Sequence, residues 1–191
     1  MGTTGRHLLA RLSRPIVVHP PWCELTTAAL SAVIGWRATT GHLPWWWLPA
    51  PLLLTWLAVP LSIADLAHHR LPNALTVPAY PALGLATALA ATFGKDPAIA
   101  LRALAGLAIF GGTHALIRIL VPTTLGAGDV KLAGSLGAIL GALGWPALAA
   151  AAVLAATCTL VIAATRGTTS APHGPGLLLA TWLLATFPAG P

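Results

Sequence analysis

The chain has 191 residues, of which 57% are hydrophobic and 7% charged, against roughly 45–50% and about 25% in soluble globular domains. Together with a mean hydropathy of +0.81, these values exclude a soluble domain, and they exclude a disordered chain, which is poor in apolar residues and rich in charge. The net charge of +6 comes from ten Lys and Arg spread along the sequence, which form no dense patch for nucleic acid and read instead as a membrane-topology signal.

In chain order, residues 1–21 form a basic tail carrying Arg6, Arg11 and Arg14. The first apolar run, Leu25 to Trp36, is the weakest, fenced by Glu24 and Arg37. The tail and this run also fit the outline of a signal peptide, but no small-residue A-x-A site follows the run. Whether it spans the bilayer is left open. Four runs approach the roughly 20 apolar residues that a helix needs to cross a core about 30 Å thick: Trp45 to Leu66, Leu75 to Phe93, Ile99 to Val121 and Trp145 to Thr165. Two shorter runs, Val130 to Leu143 and Gly176 to Phe187, span only with little tilt or local thinning. The expected fold is all-α, a polytopic membrane helix bundle of six to seven transmembrane helices over residues 22–191.

Lys and Arg in short loops favour the cytoplasm. An N-terminus inside puts Arg6, Arg11, Arg14, Arg70, Arg118, Lys131 and Arg166 at cytoplasmic ends, against Arg37, Lys95 and Arg102 outside. It places Trp45, Trp46 and Trp47 at the outer interface, where aromatic rings are enriched. Three loops then share the cytoplasmic face: Ala67 to Ala74, Pro122 to Gly128, and Arg166 to Pro175.

Only four carboxylates occur: Glu24, Asp65, Asp96 and Asp129. Asp65 ends one apolar run and Asp129 opens another, so the topology sets both at one depth on one face, and a carboxylate at a membrane edge usually marks function. Two carboxylates that meet across helices suit an aspartic peptidase, one as general base on water and the other, protonated, polarising the scissile carbonyl. The bland alternative for Asp129 is a helix cap, and for Asp65 a headgroup-solvated side chain. A carboxylate in a last helical turn opposes the macrodipole, whereas one in a first turn is favoured by it, which assigns Asp129 the starting base and Asp65 the protonated partner. Asp96 reads as a solvated turn and Glu24 as interfacial. The glycines of Gly126-Ala127-Gly128-Asp129 let another chain approach closely.

At these residues the chain resembles the type IV prepilin peptidases, which belong with the presenilin-like G-x-G-D membrane aspartic proteases. An Asp followed by a basic stretch and L-P-[ND]-x-L-T-x-P is matched by Asp65 to Pro78, and G-x-G-D-x-K-L by Gly126 to Leu132. A weaker P-x-G-P signature is matched by Pro172-His173-Gly174-Pro175. The resemblance covers roughly Pro51 to Phe187. It implies a catalytic pair, Asp65 and Asp129, with Gly126, Gly128, Lys131, Arg70, Pro72, Asn73, Gly174 and Pro175 binding substrate or supporting the pair. The implied reaction removes the short basic leader of a prepilin or pseudopilin precursor at the cytoplasmic face of the inner (plasma) membrane. Partners are then that precursor and the lipid bilayer, with no nucleic acid; the oligomeric state is not specified.

Long members of the family carry two C-x-x-C pairs near the first membrane segment and methylate the new N-terminus. Here residues 37–45 contain no cysteine, so a short form without methyltransferase activity or its cofactor is expected. Cys23 and Cys158 fit neither a disulfide framework nor a paired zinc motif. No metal is expected, since the adjacent His68 and His69 point about 100° apart on a helix. Pro72 and Asn73 are expected to end the loop and cap the next helix, and His173, where many members have an aromatic residue, reads as a polar loop residue. The alternative class is a small proton-coupled transporter, but the sequence shows no internal repeat of the kind transporters carry.

Overall fold

The computed structural model describes residues 2–11, 16, 18–122, 124–168 and 171–188. The described residues form eight α-helices: α1 (Gly2–Ala10), α2 (Trp22–Thr39), α3 (Pro49–His68), α4 (Asn73–Phe93), α5 (Ala98–Leu120), α6 (Ala127–Leu143), α7 (Trp145–Arg166) and α8 (Gly174–Thr186), with a 3-10 turn at Trp45–Trp47 ahead of α3. The seven apolar runs fall in order on α2 to α8, and the fold is the expected helical membrane bundle. By length and composition four segments suffice to cross a membrane: Trp45–His68, Asn73–Phe93, Ala98–Leu120 and Trp145–Arg166. The weak first run lies in α2, which is not among the four. Arg14, counted among the cytoplasmic charges, lies outside the described residues.

Breaks between helices follow proline and glycine. Pro72 is extended ahead of α4, and Gly144 at φ 120° separates α6 from α7 with a conformation that a side chain would strain. Inside the bundle, α6 is central, packed by α4, α5, α7 and α8. Every residue from Leu132 to Ala142 is buried. Its tightest neighbour is α5, through a seam of small residues. A Cβ on Gly106 would come within 2.6 Å of Gly141 Cα, and one on Gly137 within 2.8 Å of Phe110 Cβ. Close backbone approach of this kind replaces the hydrophobic drive that lipid does not provide. By contrast α5 and α7 turn large apolar side chains outward, among them Leu101, Leu104, Ile119, Val153 and Leu160, as lipid-facing helices do.

On the other side of the bundle, α3 packs against α8. Trp182 Nε1–H donates to Thr55 Oγ1 at 2.8 Å in the core, and the Thr55 hydroxyl donates to Pro51 O at 2.9 Å. A buried indole N–H needs such an acceptor, and the bond fixes the register of α8 along α3. Two features differ from the sequence expectation. Residues 2–10 of the basic tail form a helix whose Leu9 is buried with Cys23, Val59 and Ala64, and Arg6 pairs with Glu24 at 3.2 Å. Trp47 is buried rather than interfacial, donating its indole N–H to Ala185 O at 2.9 Å; Trp45 stays exposed beside Phe93.

Candidate active site

Asp65 lies in the last turn of α3, and Asp129 is the third residue of α6. The end of one helix and the start of the other meet at one side of the bundle, and both aspartates line a cavity of about 370 Å³. Both are buried, with 3% and 9% of their surface exposed, and Asp129 lies close enough for its charge to act on Asp65. His69, Arg70, Leu71, Asn73, Gly126, Ala127, Gly128 and Lys131 complete the wall.

Each carboxylate is held by one backbone amide. The N–H of Gly174, at the start of α8, donates to Asp65 Oδ2 at 3.0 Å. Only glycine fits there, because a Cβ would sit 2.6 Å from that oxygen. On the other aspartate, Oδ2 accepts from Gly126 N–H at 3.0 Å. Asp129 therefore closes the N-terminus of α6 from inside the first turn, so the capping role is real for one of its oxygens. Its Oδ1 is buried with no hydrogen-bond partner among the described residues. Such an oxygen is costly unless something else enters to meet it.

The loop 69–72 lies over the pair because the chain turns sharply at both of its ends. His69 takes a left-handed conformation (φ 50°), its N–H bonded to Asp65 O at 2.8 Å. Gly128 lets Leu71 come close, since a Cβ would stand 2.8 Å from that side chain's Cβ. Asn73 does not cap α4. It is the first helical residue, and its Oδ1 accepts from Lys131 Nζ at 3.0 Å, tying the loop to α6. Arg118 steadies the other loop by donating from Nη1 to Leu125 O at 2.6 Å.

Of the expected site residues, the structure brings Asp65, Asp129, Gly126, Gly128, Lys131, Arg70 and Asn73 to one cavity. Gly174 reaches it through its bond to Asp65. Pro72 shapes the loop from outside the cavity, and Pro175 lines a separate apolar cavity of about 220 Å³ with Trp182. Sequence reasoning passed over His114, which is buried in α5 and close enough to Asp129 to act on its charge. The available signal was an ionisable side chain within the apolar run Ile99 to Val121. His173 is no simple loop residue either. Its Nδ1 is 2.8 Å from Thr159 Oγ1, and its ring lies against His114, centroids 5.9 Å apart. Burial, with His114 as the second cause, holds the His173 imidazole down to about 4.

Residues 52–164 match the model of the Type IV leader peptidase family. The chain belongs to this family. Both aspartates, His114 and Thr159 fall inside the matched region, while His173 and Gly174 lie beyond it. The chain is 30% identical over 177 residues to a prepilin leader peptidase/N-methyltransferase of Aeromonas hydrophila, covering 88% of this chain and 58% of that protein. It is 32% identical over 168 residues to the protein of the same name from Dichelobacter nodosus, covering 87% and 57%. It thus spans less than three fifths of the length of these curated relatives. No solved structure matches.

Proposed function

We propose that the chain is a membrane aspartic endopeptidase that removes the short basic leader from prepilin-like precursors at the cytoplasmic membrane face, with Asp65 and Asp129 as the catalytic pair. The observation that carries this reading is the shared cavity, lined by carboxylates from two helices distant in sequence, neither of which makes an ion pair among the described residues. Membership of the Type IV leader peptidase family supports the same reaction class.

The hydrogen bonds suggest which oxygens work. Oδ2 of each aspartate is taken by a backbone N–H, so each Oδ1 remains for chemistry. Asp129 sits in a first helical turn, where a negative charge is favoured, and Asp65 in a last turn, where it is not. Asp129 Oδ1 accordingly accepts a proton from water as the resulting hydroxyl attacks the scissile carbonyl carbon. Asp65 carries its proton on Oδ1 and gives it to the carbonyl oxygen. Collapse of the tetrahedral intermediate returns a proton to Asp65, moves one from Asp129 to the leaving nitrogen, and restores the pair. The two carboxyls titrate as a unit.

The basic charges at this end, Arg70 and Lys131 among them, support a cytoplasmic position for the cavity by the positive-inside rule. A bond at the junction of a leader and a membrane helix would there lie within reach without unwinding the substrate helix. Methylation of the product is not part of the proposed activity. The test is co-expression with a prepilin-like precursor, reading leader removal on a gel for wild type, Asp65→Asn and Asp129→Asn. Both variants are expected to leave the precursor intact, and undiminished processing by either would falsify the mechanism.

A further inference from the structure

The donor to Asp65 stands on a stretch of chain that has little of its own to hold it in place. Residues 172–175 read Pro-His-Gly-Pro. The prolines carry no N–H, Gly174 has no side chain, and its N–H is already committed to Asp65 Oδ2. Of the four, only His173 has a polar side chain with which to tie the start of α8 to the rest of the bundle.

That side chain is held by two other helices. Its Nδ1 lies 2.8 Å from Thr159 Oγ1 on α7, within hydrogen-bond distance. The imidazole also lies against His114 on α5, centroids 5.9 Å apart, and the His114 ring is itself fixed, with Nδ1 2.8 Å from Phe110 O. The backbone of α8 is equally close to α7, since a Cβ on Gly176 would come within 2.6 Å of Ala155 O, one turn before Thr159. The first turn of α8 thus rests on a single turn of α7, and His173 pins it there.

What this clamp fixes is the position of one N–H. A backbone N–H only donates, so while it occupies Asp65 Oδ2 the proton of that carboxyl is directed to Oδ1. Without the donor the carboxyl is free to turn, and either oxygen can take the proton. Displacing a group at a reacting centre by about 1 Å can cost about 100-fold in rate, so a donor carried by a proline-glycine stretch needs an external anchor.

We propose that His173 is a positioning residue, clamped by Thr159 and the His114 ring so that it holds the Gly174 N–H on Asp65 Oδ2 and keeps Oδ1 for the proton that Asp65 gives. The inference rests on the peptidase reading above and adds to it a residue that is not part of the wall of the aspartate cavity. It gives a use to a side chain that the cleavage steps themselves leave idle.

The test uses full-length enzyme in lipid bilayers and the precursor of the leader-removal assay. His173→Leu removes the clamp, and Thr159→Val removes its hydroxyl partner at nearly constant shape. Loss of the tie predicts a kcat per folded enzyme about tenfold lower for His173→Leu and about fivefold lower for Thr159→Val, with KM within about twofold in both. Thr159→Ser, which restores the hydroxyl, is expected within about twofold of wild type. Adding Thr159→Val to Gly174→Ala should lower kcat by no more than about twofold beyond Gly174→Ala alone, because both changes act through the same bond. An unchanged kcat in Thr159→Val, a Thr159→Ser as slow as Thr159→Val, or effects that multiply overturn the inference, and Thr159→Val decides it even if His173→Leu folds poorly. A readout free of activity separates this inference from the peptidase reading. In enzyme labelled with nitrogen-15 glycine, the amide resonance that disappears in Gly174→Ala should shift in Thr159→Val and stay in place in Thr159→Ser. An unmoved resonance in Thr159→Val overturns the clamp, whereas a wild-type enzyme that leaves the precursor uncut sinks the peptidase reading, and the catalytic use of the clamp with it.

Discussion

The two ends of the bundle treat their carboxylates in opposite ways. At the turn between α4 and α5, Asp96 is neutralised: Oδ2 pairs with Arg102 at 3.0 Å and Oδ1 accepts from Ala98 N–H at 3.0 Å. Both oxygens are occupied in a half-exposed site, the sort of surface pair that contributes at most about 1 kcal/mol. At the other end Asp65 and Asp129 are buried, neither makes an ion pair within the described residues, and each is held by one amide through Oδ2. A carboxylate bonded on both oxygens is finished as structure, whereas one held on a single oxygen is oriented and still available. Burial without a counter-charge is expensive for stability alone, which is why the second end reads as chemistry.

Neutralising the three aspartates one at a time breaks this contrast or sharpens it. Asp65→Asn and Asp129→Asn should each lower leader removal more than about 1,000-fold, while Asp96→Asn stays within about twofold, because in the proposed mechanism only the first pair touches reacting atoms. A comparable loss for Asp96→Asn would mean that the two ends do not differ. Next in size is Gly174→Ala, whose Cβ would stand 2.6 Å from Asp65 Oδ2 and would push the donor away. Loss of one charge-assisted bond predicts a kcat about 10- to 100-fold lower with KM little changed.

Smaller effects belong to packing. Gly137→Ala forces a methyl group against Phe110 in the α5–α6 seam, and overpacking of this kind costs about 1–3 kcal/mol. It should appear as a lower unfolding midpoint in bilayers, with kcat per folded enzyme retained. Smallest is Lys131→Met, which removes an exposed bond to Asn73 and should change kcat/KM by about threefold or less. The pH dependence has a definite sign. Folding lowers the pKa of His173 from 6.5 to about 4, so the unfolded chain takes up a proton that the folded chain refuses. Stability is full above pH 6.5 and declines as pH falls toward 4. In His173→Asn this part of the decline, followed by unfolding at a series of pH values, should disappear.

Much of the fold was legible because lipid imposes a simple rule on sequence. Long apolar runs punctuated by Pro and Gly gave the positions of α2 to α8, and scarcity of charge made Asp65 and Asp129 conspicuous. What was not legible depends on direction rather than identity. Three consecutive tryptophans do not say that Trp47 turns inward to Ala185 while Trp45 faces out. The basic charge of residues 1–21 hid the apolar face that Leu9 buries. Gly174 matters through its N–H, a group that nearly every residue carries, so nothing in its identity announced a donor to Asp65. The pairing of His173 with His114 and Thr159 joins α5, α7 and the start of α8, a contact that no local pattern records.

The central claim is that two carboxylates of one chain act as a single unit. Measuring the residual cleavage rate of the Asp65→Asn/Asp129→Asn double variant beside both single variants, with a labelled leader sensitive enough to see slow turnover, tests it most directly. Groups that work as one unit lose their effect together, so the account predicts a double variant no slower than the slower single one. Losses that multiply would contradict it and would mean that the two aspartates contribute separately.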